Sequence, residues 1–193
     1  MTIMREIMPN KQEDKLNRLK QIINEKSYIT SGDFKLASGA SSSFFFDMKP
    51  TFLDPEGANL LADLVLDRLS DEKNITAIGG LALGACPIAS AVCVKSYASG
   101  RPITAFYVRK EPKKRGTQKM IEGLLLQPGD RVVIVDDVTT SGGSSLIAVD
   151  EVKKLGAEVI KVISIVDRDQ GAAENFAKAG VKFEFIFSMH DFE

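Results

Sequence analysis

The sequence predicts an α/β fold built on a central, mostly parallel sheet with helices on both faces. The first observation is the alternation, from about residue 76 onwards, of short apolar runs with helical segments, a pattern typical of consecutive βαβ units. The second is the length of 193 residues, which is enough for one domain with its own hydrophobic core. No repeat or linker divides the chain, so we expect a single domain over residues 1–193.

Each element of this fold has its own sequence signal. Apolar residues at helical spacing predict an amphipathic helix over 13–26. Asp54-Pro55 is typical of a helix start, with a capping carboxylate followed by a proline. Strands are predicted at 44–46, 76–78, 103–108, 131–135, 158–166 and 181–187, and further helices at 87–97, 143–155 and 171–178.

The charge and hydropathy of the chain exclude several classes of function. A formal net charge of -1 gives no global attraction to nucleic acids or membrane surfaces. No segment reaches the ~18 continuous apolar residues of a membrane span. The polar N-terminus over 1–15 lacks the apolar centre of a signal peptide. We therefore expect a cytoplasmic protein with no nucleic-acid or membrane partner.

One polar and basic segment, residues 109–127, interrupts the alternation of strands and helices. Stretches of this length without regular structure are usually functional or mobile in compact domains. Such a charged segment repels itself when free, and we expect it to order around a polyanion. Its positive charge is concentrated around Glu111 in Arg109, Lys110, Lys113, Lys114, Arg115 and Lys119.

The most informative segment joins the strand at 131–135 to the helix at 143–155. Asp136 and Asp137 follow the apolar strand, and a turn rich in hydroxyls and glycines then opens the helix. Glycines let the backbone approach a ligand closely, and N–H groups at a helix N-terminus bind anions. Since ligands of parallel sheets bind outside the carboxyl ends of the strands, we predict a phosphate cradle. Its residues are Thr139, Thr140, Ser141, Gly142, Gly143 and Ser144.

The acid pair indicates which phosphate compound this turn binds. Two carboxylates beside a phosphate would repel it unless they bind something else, and ribose hydroxyls and Mg²⁺ are their natural partners. A sugar phosphate accompanied by a metal ion satisfies both halves of the motif. A Walker A loop would end in Gly-Lys-Ser/Thr, and a dinucleotide turn would begin with Gly-x-Gly-x-x-Gly. Neither pattern occurs at this turn.

The segment from Asp136 to Ser144 resembles the ribose-phosphate-binding motif of the type I phosphoribosyltransferases. The resemblance implies the fold of that family, with a small N-terminal hood over about residues 1–50. It also implies that Asp136 and Asp137 contact the ribose of phosphoribosyl pyrophosphate, while the turn holds its 5′-phosphate. Mg²⁺ is expected to be held mainly through the substrate, near the two acids, without direct protein ligands.

Three further segments resemble the orotate phosphoribosyltransferases within that family. The first, Arg-Lys-Glu-Pro-Lys-Lys-Arg-Gly at 109–116, resembles their catalytic loop, Arg-Lys-Glu-x-Lys-x-His-Gly, and implies a mobile loop over about 109–122. Its cations would stabilise the departing pyrophosphate, and its closure would exclude water. Arg115 replaces the histidine, so this position keeps a cation that cannot titrate near neutral pH.

The loop resemblance also implies specific roles and a partner. In the family, part of the loop enters the active site of the neighbouring subunit, which implies a homodimer. The loop and the ribose-phosphate motif together imply four catalytic residues, which are Lys110, Arg115, Asp136 and Asp137. The loop residues implied to contact phosphoribosyl pyrophosphate are Arg109, Lys110 and Lys113.

The other two segments concern the pyrophosphate and the base. The glycine-rich turn over 79–84 resembles the pyrophosphate loop, although Leu83 stands where some relatives have lysine. Asp167-Arg168 resembles the Asp-Arg pair whose arginine grips the orotate carboxylate, and a guanidinium fork suits a planar anion. Residues 34–39 and the following aromatic pair resemble the base-facing hood, with Ala37 and Ala40 where the family often has basic residues. The implied contacts to orotate are Phe44, Phe45, Thr140 and Arg168.

The resemblance therefore implies transfer of the phosphoribosyl group to orotate, giving orotidine 5′-phosphate and pyrophosphate in pyrimidine nucleotide biosynthesis. Two alternatives remain open from the sequence. One is an enzyme of the same fold that acts on a purine base or uracil. The other is a non-enzymatic regulator that senses phosphoribosyl pyrophosphate, although the near-zero net charge and the absence of a DNA-reading motif speak against it.

Overall fold

A computed structural model describes residues 11–32, 34–35, 41–112 and 119–192. The helices are α1 (Lys11–Lys26), α2 (Lys49–Phe52), α3 (Pro55–Asp67), α4 (Ala85–Ala98), α5 (Gly143–Lys154) and α6 (Ala172–Lys178), with a final 3-10 turn at Met189–Phe192. The strands are β1 (Tyr28–Ile29), β2 (Phe34–Lys35), β3 (Ser41–Ser42), β4 (Phe45–Phe46), β5 (Ala77–Leu81), β6 (Thr104–Val108), β7 (Ile121–Gly123), β8 (Arg131–Thr139), β9 (Glu158–Asp167) and β10 (Lys182–Ser188).

The central sheet contains six strands in the order β10-β9-β8-β5-β6-β7. All neighbours are parallel except β7, which pairs antiparallel with β6 at the edge. The predicted class, a mostly parallel sheet flanked by helices, is therefore confirmed. Within the described ranges, no helix is both long and apolar enough to cross a membrane.

Strand β8 shows why the sheet needs helices on both faces. Val133 and Val135 belong to one buried cluster, which also contains side chains of α1, α3 and α4. Val132 and Ile134 belong to a second cluster on the other face, with side chains of α5 and α6. Because successive side chains of a strand point to opposite faces, a strand covered on both sides is apolar at every position.

Helix α3 begins as its sequence predicts. The Asp54 carboxylate accepts hydrogen bonds from the backbone N–H groups of Glu56, at 3.0 Å, and Gly57, at 2.9 Å. Pro55 occupies the first helical position, where no intrahelical donor is needed. Lys26, at the end of α1, forms an ion pair with the same carboxylate, so the cap also fixes the N-terminal helix to α3.

The N-terminal segment packs directly on the sheet. Leu19 and Ile23 of α1 and Phe46 of β4 lie in the same buried cluster as the first face of the sheet. The Phe46 ring also makes an edge contact with Phe192, with ring centroids 5.2 Å apart. Aromatic packing between Phe46 and the C-terminal turn thus anchors the part of the predicted hood that the structure describes.

Three predictions about regular structure were wrong. β5 runs from Ala77 to Leu81 rather than over 76–78, because its pairing with β6 continues to Leu81 and Val108, so Gly79 and Gly80 lie in the strand and not in the turn after it. β8 extends to Thr139 rather than ending at 135, because its pairing with β9 continues to the register pair Thr139 and Asp167. The basic segment, expected to lack regular structure, contains β7, which pairs with β6 through Ile121 and Val108. A three-residue edge strand is too short to give a periodic sequence signal.

Candidate active site

The site lies where the central sheet opens between β5 and β8. From β5 the chain proceeds through α4 to β6 on one side, and from β8 it proceeds through α5 to β9 on the other. Pairing of β5 with β8 ends at Gly79 and Ile134, whereas β8 stays paired with β9 for five residues more, as far as Thr139. Such a reversal of strand order leaves a crevice at the carboxyl ends of the strands, where open α/β sheets bind ligands.

The acid pair lies inside β8, at this crevice, rather than after the end of the strand. The Asp136 carboxylate is only 6% exposed. One of its oxygens accepts a hydrogen bond from the Ser145 hydroxyl at 2.6 Å, and the other accepts one from the Asp137 N–H at 3.1 Å. Burial, followed by the charge of Asp137, raises the pKa of Asp136 to about 7, although the Ser145 hydrogen bond opposes the rise.

Asp137 faces the glycine-rich turn after β5. A Cβ atom added to Gly84 would lie 2.4 Å from a carboxylate oxygen of Asp137, so any other residue here would displace that carboxylate. Two glycines inside β5 also lie in close contact with neighbouring strands. An added Cβ atom would lie 2.2 Å from the Phe106 carbonyl oxygen at Gly79 and 2.2 Å from the Val135 carbonyl oxygen at Gly80. The predicted pyrophosphate loop therefore packs directly against the predicted ribose-binding acid.

The cradle turn connects β8 to the N-terminus of α5. Gly142 has φ +82° and an added Cβ would lie 2.7 Å from the Phe176 ring, so its conformation and its packing both require glycine. No side chain caps the first turn of α5, which leaves its N–H groups available to an anion. Ser141, Gly143 and Ser144 are exposed around this helix start.

The two threonines of the turn differ in accessibility. Thr140 is half-buried. Thr139 is fully buried, and its hydroxyl has no hydrogen-bond partner among the residues that the structure describes. The structure thus brings the predicted cradle residues together, with Thr139 below the surface that the others form.

The basic segment starts at the other side of the crevice. Ala82 and Leu83 line a cleft of about 570 Å³ together with residues 109–112. The Arg109 guanidinium lies 3.5 Å from the Glu122 carboxylate and donates to the Glu111 carbonyl oxygen at 3.3 Å. The N–H of Arg109 donates to the Met120 carbonyl oxygen at 2.8 Å, which ties the two ends of the segment together.

Several sequence predictions concern residues whose positions are not described. Lys113 and Arg115, predicted in the catalytic loop, lie outside the described residues, as do Ala37 and Ala40 of the hood. Lys110 is described, is exposed, and lines the cleft next to Arg109. Leu83, the substitute for a lysine in some relatives, is 77% exposed in the same cleft.

The predicted base-binding residues form a buried group and an exposed one. The Arg168 guanidinium stacks on the Phe44 ring, 4.6 Å from its centroid, and Arg168 is only 3% exposed. Burial lowers the pKa of Arg168, but a guanidinium stays charged in proteins. Phe45 is 38% exposed and stacks on Phe34 instead, with centroids 5.6 Å apart. Phe44 lies just before β4 and Phe45 within it, and the two rings contact different neighbours.

The base side and the phosphate side share one backbone contact. The N–H of Arg168 donates to the Thr139 carbonyl oxygen at 2.9 Å. The carboxyl ends of β8 and β9 therefore hold Arg168 at a fixed position relative to the cradle. Sequence reasoning missed the support that Ser145 gives to Asp136, because a serine in the first turn of a helix does not by itself indicate which side chain it contacts.

A metal site made of protein groups alone is absent from the described parts of the chain. No group of three or more His, Cys, Asp or Glu side chains is arranged there to hold an ion. Two carboxylates remain in the crevice, and Mg²⁺ commonly binds through one or two carboxylates plus substrate phosphates and waters. The donor set therefore fits a cation that arrives with a phosphorylated substrate.

Comparisons with known proteins agree with this geometry. Residues 52–192 match the family model of the phosphoribosyl transferase domain. An orotate phosphoribosyltransferase from Bradyrhizobium diazoefficiens is 49% identical over 179 residues, covering 91% of this chain and 94% of the relative. One from Aquifex aeolicus is 41% identical over 176 residues, covering 90% and 95%. The crystal structure of the Mycobacterium tuberculosis enzyme with 5-phospho-alpha-D-ribosyl 1-diphosphate superposes with a TM-score of 0.76 and 32% identity, covering 92% of this chain and 98% of that one.

Proposed function

The chain belongs to the phosphoribosyltransferase family, and on that premise we propose that it transfers the phosphoribosyl group of phosphoribosyl pyrophosphate to orotate. The products are orotidine 5′-phosphate and pyrophosphate, a step of pyrimidine nucleotide biosynthesis. The observation that carries the proposal is the arrangement of an acid pair, an uncapped glycine-rich helix start and a buried arginine around one crevice of the sheet.

The phosphate side binds the donor. Asp136 and Asp137 accept hydrogen bonds from the ribose hydroxyls, and the start of α5 binds the 5′-phosphate through its N–H groups and hydroxyls. The turn from Thr139 to Ser144 supplies these groups, with Ser141, Gly143 and Ser144 at the surface. The glycine-rich turn containing Leu83 and Gly84 approaches the pyrophosphate from the β5 side.

The base side selects orotate by its carboxylate. Arg168 is the buried cation of the crevice, and stacking on Phe44 fixes the plane of its guanidinium. A planar fork of donors matches a carboxylate geometrically, whereas purines and uracil carry no such group. Phe45 and Thr140 complete the predicted base contacts. A panel of adenine, hypoxanthine, guanine, uracil and orotate separates this assignment from the alternative bases.

The reaction requires stabilisation of the leaving group. The bond from the anomeric carbon to pyrophosphate breaks, positive charge develops on the ribose, and a ring nitrogen of orotate forms the new bond and loses its proton to solvent. Arg109 and Lys110 line the cleft in front of Leu83, where their charges stabilise the departing anion. Lys113 and Arg115 add positive charge to the same loop, and Arg115 acts as a fixed cation rather than as a proton donor.

Magnesium belongs to this proposal through the donor substrate. Mg²⁺ bound to the pyrophosphate would neutralise part of its charge. Asp136 and Asp137 are the residues in the crevice that support a cation there, through the ribose hydroxyls and ordered water. Their carboxylates hold the ribose in place while the loop cations act on the pyrophosphate.

The active form is a homodimer in which the loop of one subunit reaches the site of the other. Helix α4 carries apolar residues on all its sides, which is typical of helices that are buried all round. Ile88, Ala89 and Val92 are buried, whereas Val94 and Tyr97 are exposed on the outer face. A second copy covering this face would remove these two side chains from solvent.

Subunit mixing tests the shared loop. Asp137→Asn and Lys110→Ala each inactivate a different part of the site, so mixed dimers contain one site with neither substitution if the loop acts across the interface. Recovery of turnover on mixing supports the shared loop, and no recovery from dimers shown to exchange subunits contradicts it.

The direct test of the function is the loss of orotate absorbance in the ultraviolet when phosphoribosyl pyrophosphate is added. We expect turnover with Mg²⁺ and a large loss when the metal is chelated. Binding of the donor without turnover of any base would instead favour a non-enzymatic sensor, and turnover with a purine or uracil in place of orotate would contradict the assignment of Arg168.

A further inference from the structure

The cradle turn is held from behind by α6, an element that the reaction does not otherwise use. The side-chain amide of Asn175 donates a hydrogen bond to the Ser141 carbonyl oxygen at 2.9 Å. The neighbouring residue Phe176 is fully buried, stacks on Phe183 with centroids 4.7 Å apart, and lies against Gly142. Helix α6 is therefore anchored to β10 by Phe176 and holds the cradle through the preceding residue, Asn175.

The direction of the Ser141 carbonyl matters for anion binding. In a trans peptide the carbonyl of one residue and the N–H of the next point in opposite directions. When Asn175 holds the Ser141 carbonyl towards α6, the N–H of Gly142 points away from α6. A carbonyl oxygen turned the other way would present negative charge to a phosphate bound at this turn and would repel it.

We propose that Asn175 is a positioning residue for the 5′-phosphate of the donor, because it keeps the Ser141–Gly142 peptide oriented with its N–H available to the anion. This inference rests on the proposed role of the turn as a phosphate cradle. Asn175 is half-buried and lies outside the hydrophobic core. Its replacement is therefore expected to leave the packing of Phe176 unchanged.

Steady-state kinetics of Asn175→Ala and Asn175→Asp test the proposal. We expect the KM for phosphoribosyl pyrophosphate to rise about 3- to 10-fold in the alanine variant, the size of one lost hydrogen bond. This KM rises further in the aspartate variant. Aspartate has the same shape as asparagine, but its carboxylate replaces the amide N–H and repels the Ser141 carbonyl oxygen. The KM for orotate and kcat stay within about twofold of the wild type.

The controls separate positioning from general destabilisation. Glu174→Gln changes an exposed neighbour on the same helix and leaves both KM values unchanged. Thermal unfolding shows that the Asn175 variants are folded at the assay temperature. Unchanged donor KM in both variants overturns the proposal, and so does an equal rise in the KM of donor and orotate.

Calorimetry with ribose 5-phosphate distinguishes this inference from the proposed function. Weaker binding to Asn175→Ala than to the wild type supports the inference even if the wild type fails to convert orotate, which would count against the function alone. Equal binding to both proteins overturns the inference whatever the turnover, and no binding to the wild type overturns both.

Discussion

The two sides of the crevice are built differently. On the phosphate side, Asp136 is nearly buried inside a strand, and it is held by Ser145 and the backbone of its neighbour. On the loop side, Arg109 is only half-buried and its side-chain contacts at 3.3 and 3.5 Å are long. Preorganised groups bind the part of a substrate that stays fixed, whereas a segment at the surface is suited to close on a group that leaves.

This difference predicts how substitutions on the two sides will behave. A change on the phosphate side alters a group that the fold itself holds in place, so activity and stability change together. A change on the loop side removes a charge that contributes little to the fold, so activity changes alone. The following substitutions test that separation, in order of decreasing expected effect.

Asp137→Asn is expected to have the largest effect, with a loss of about 10²–10³ in turnover. The substitution keeps the shape of the side chain against Gly84 but removes the charge that binds the ribose hydroxyls. Turnover of orotate measures it, with Asp150→Asn as the control, since Asp150 is an exposed carboxylate on α5. Near wild-type turnover in Asp137→Asn would remove the acid pair from the mechanism.

Lys110→Ala is expected to lower turnover by about 10² while the free energy of unfolding stays the same. The Lys110 ammonium lines the cleft and is exposed, so its loss affects the leaving group rather than the fold. Lys178→Ala, on exposed α6 surface, is the matched control. A loss of stability in Lys110→Ala comparable to its loss of activity would contradict the proposed difference between the two sides.

The buried acid should give the phosphate side a distinctive pH dependence. The pKa of Asp136 is raised to about 7 in the fold, mainly by burial, so the folded state binds a proton that the unfolded state has already lost. The protonated Asp136 therefore makes its full contribution to the free energy of unfolding below the ordinary pKa of an aspartate. This contribution is lost as the pH rises through the pKa of the folded state. We expect Asp136→Asn to gain about 2 kcal/mol relative to the wild type between pH 5 and pH 7 in urea unfolding. A pH-independent difference would show that Asp136 is ionised throughout.

Arg168→Lys gives the smallest of these effects, a rise of about tenfold in the KM for orotate. Lysine keeps the positive charge but loses the planar fork and its stacking on Phe44. The KM for phosphoribosyl pyrophosphate should not change, because the contact concerns the base. Arg131→Lys is the control, because it also removes a guanidinium but lies at the start of β8, at the end of the strand away from the crevice. An unaltered orotate KM would argue for another carboxylate-binding residue.

The phosphate side was largely predictable from the sequence, because its signal is local. The apolar strand, the acids and the glycine-rich helix start follow one another within 131–144, and each has a separate physical reason. The position of the acids within β8 was not predictable. It depends on the pairing partner β9, which extends the strand beyond its apolar part.

The base side shows the limit of the same reasoning. Phe44 and Phe45 are adjacent and chemically identical, yet one stacks on Arg168 and the other on Phe34. Which of them faces the crevice depends on the register of β4 with β1, in which Phe45 pairs with Ile29. The family resemblance implied that the aromatic pair and Arg168 both contact orotate, but only the fold distinguishes the two rings.

Binding of a phosphorylated pentose by the acid pair and the glycine-rich turn underlies every prediction above. Titration of phosphoribosyl pyrophosphate into the folded wild-type protein with Mg²⁺, followed by calorimetry, measures this binding without any base or turnover. We expect a saturable heat with one site per chain, and much weaker binding in Asp137→Asn. No heat from well-folded wild-type protein, or equal binding by the variant, would contradict it.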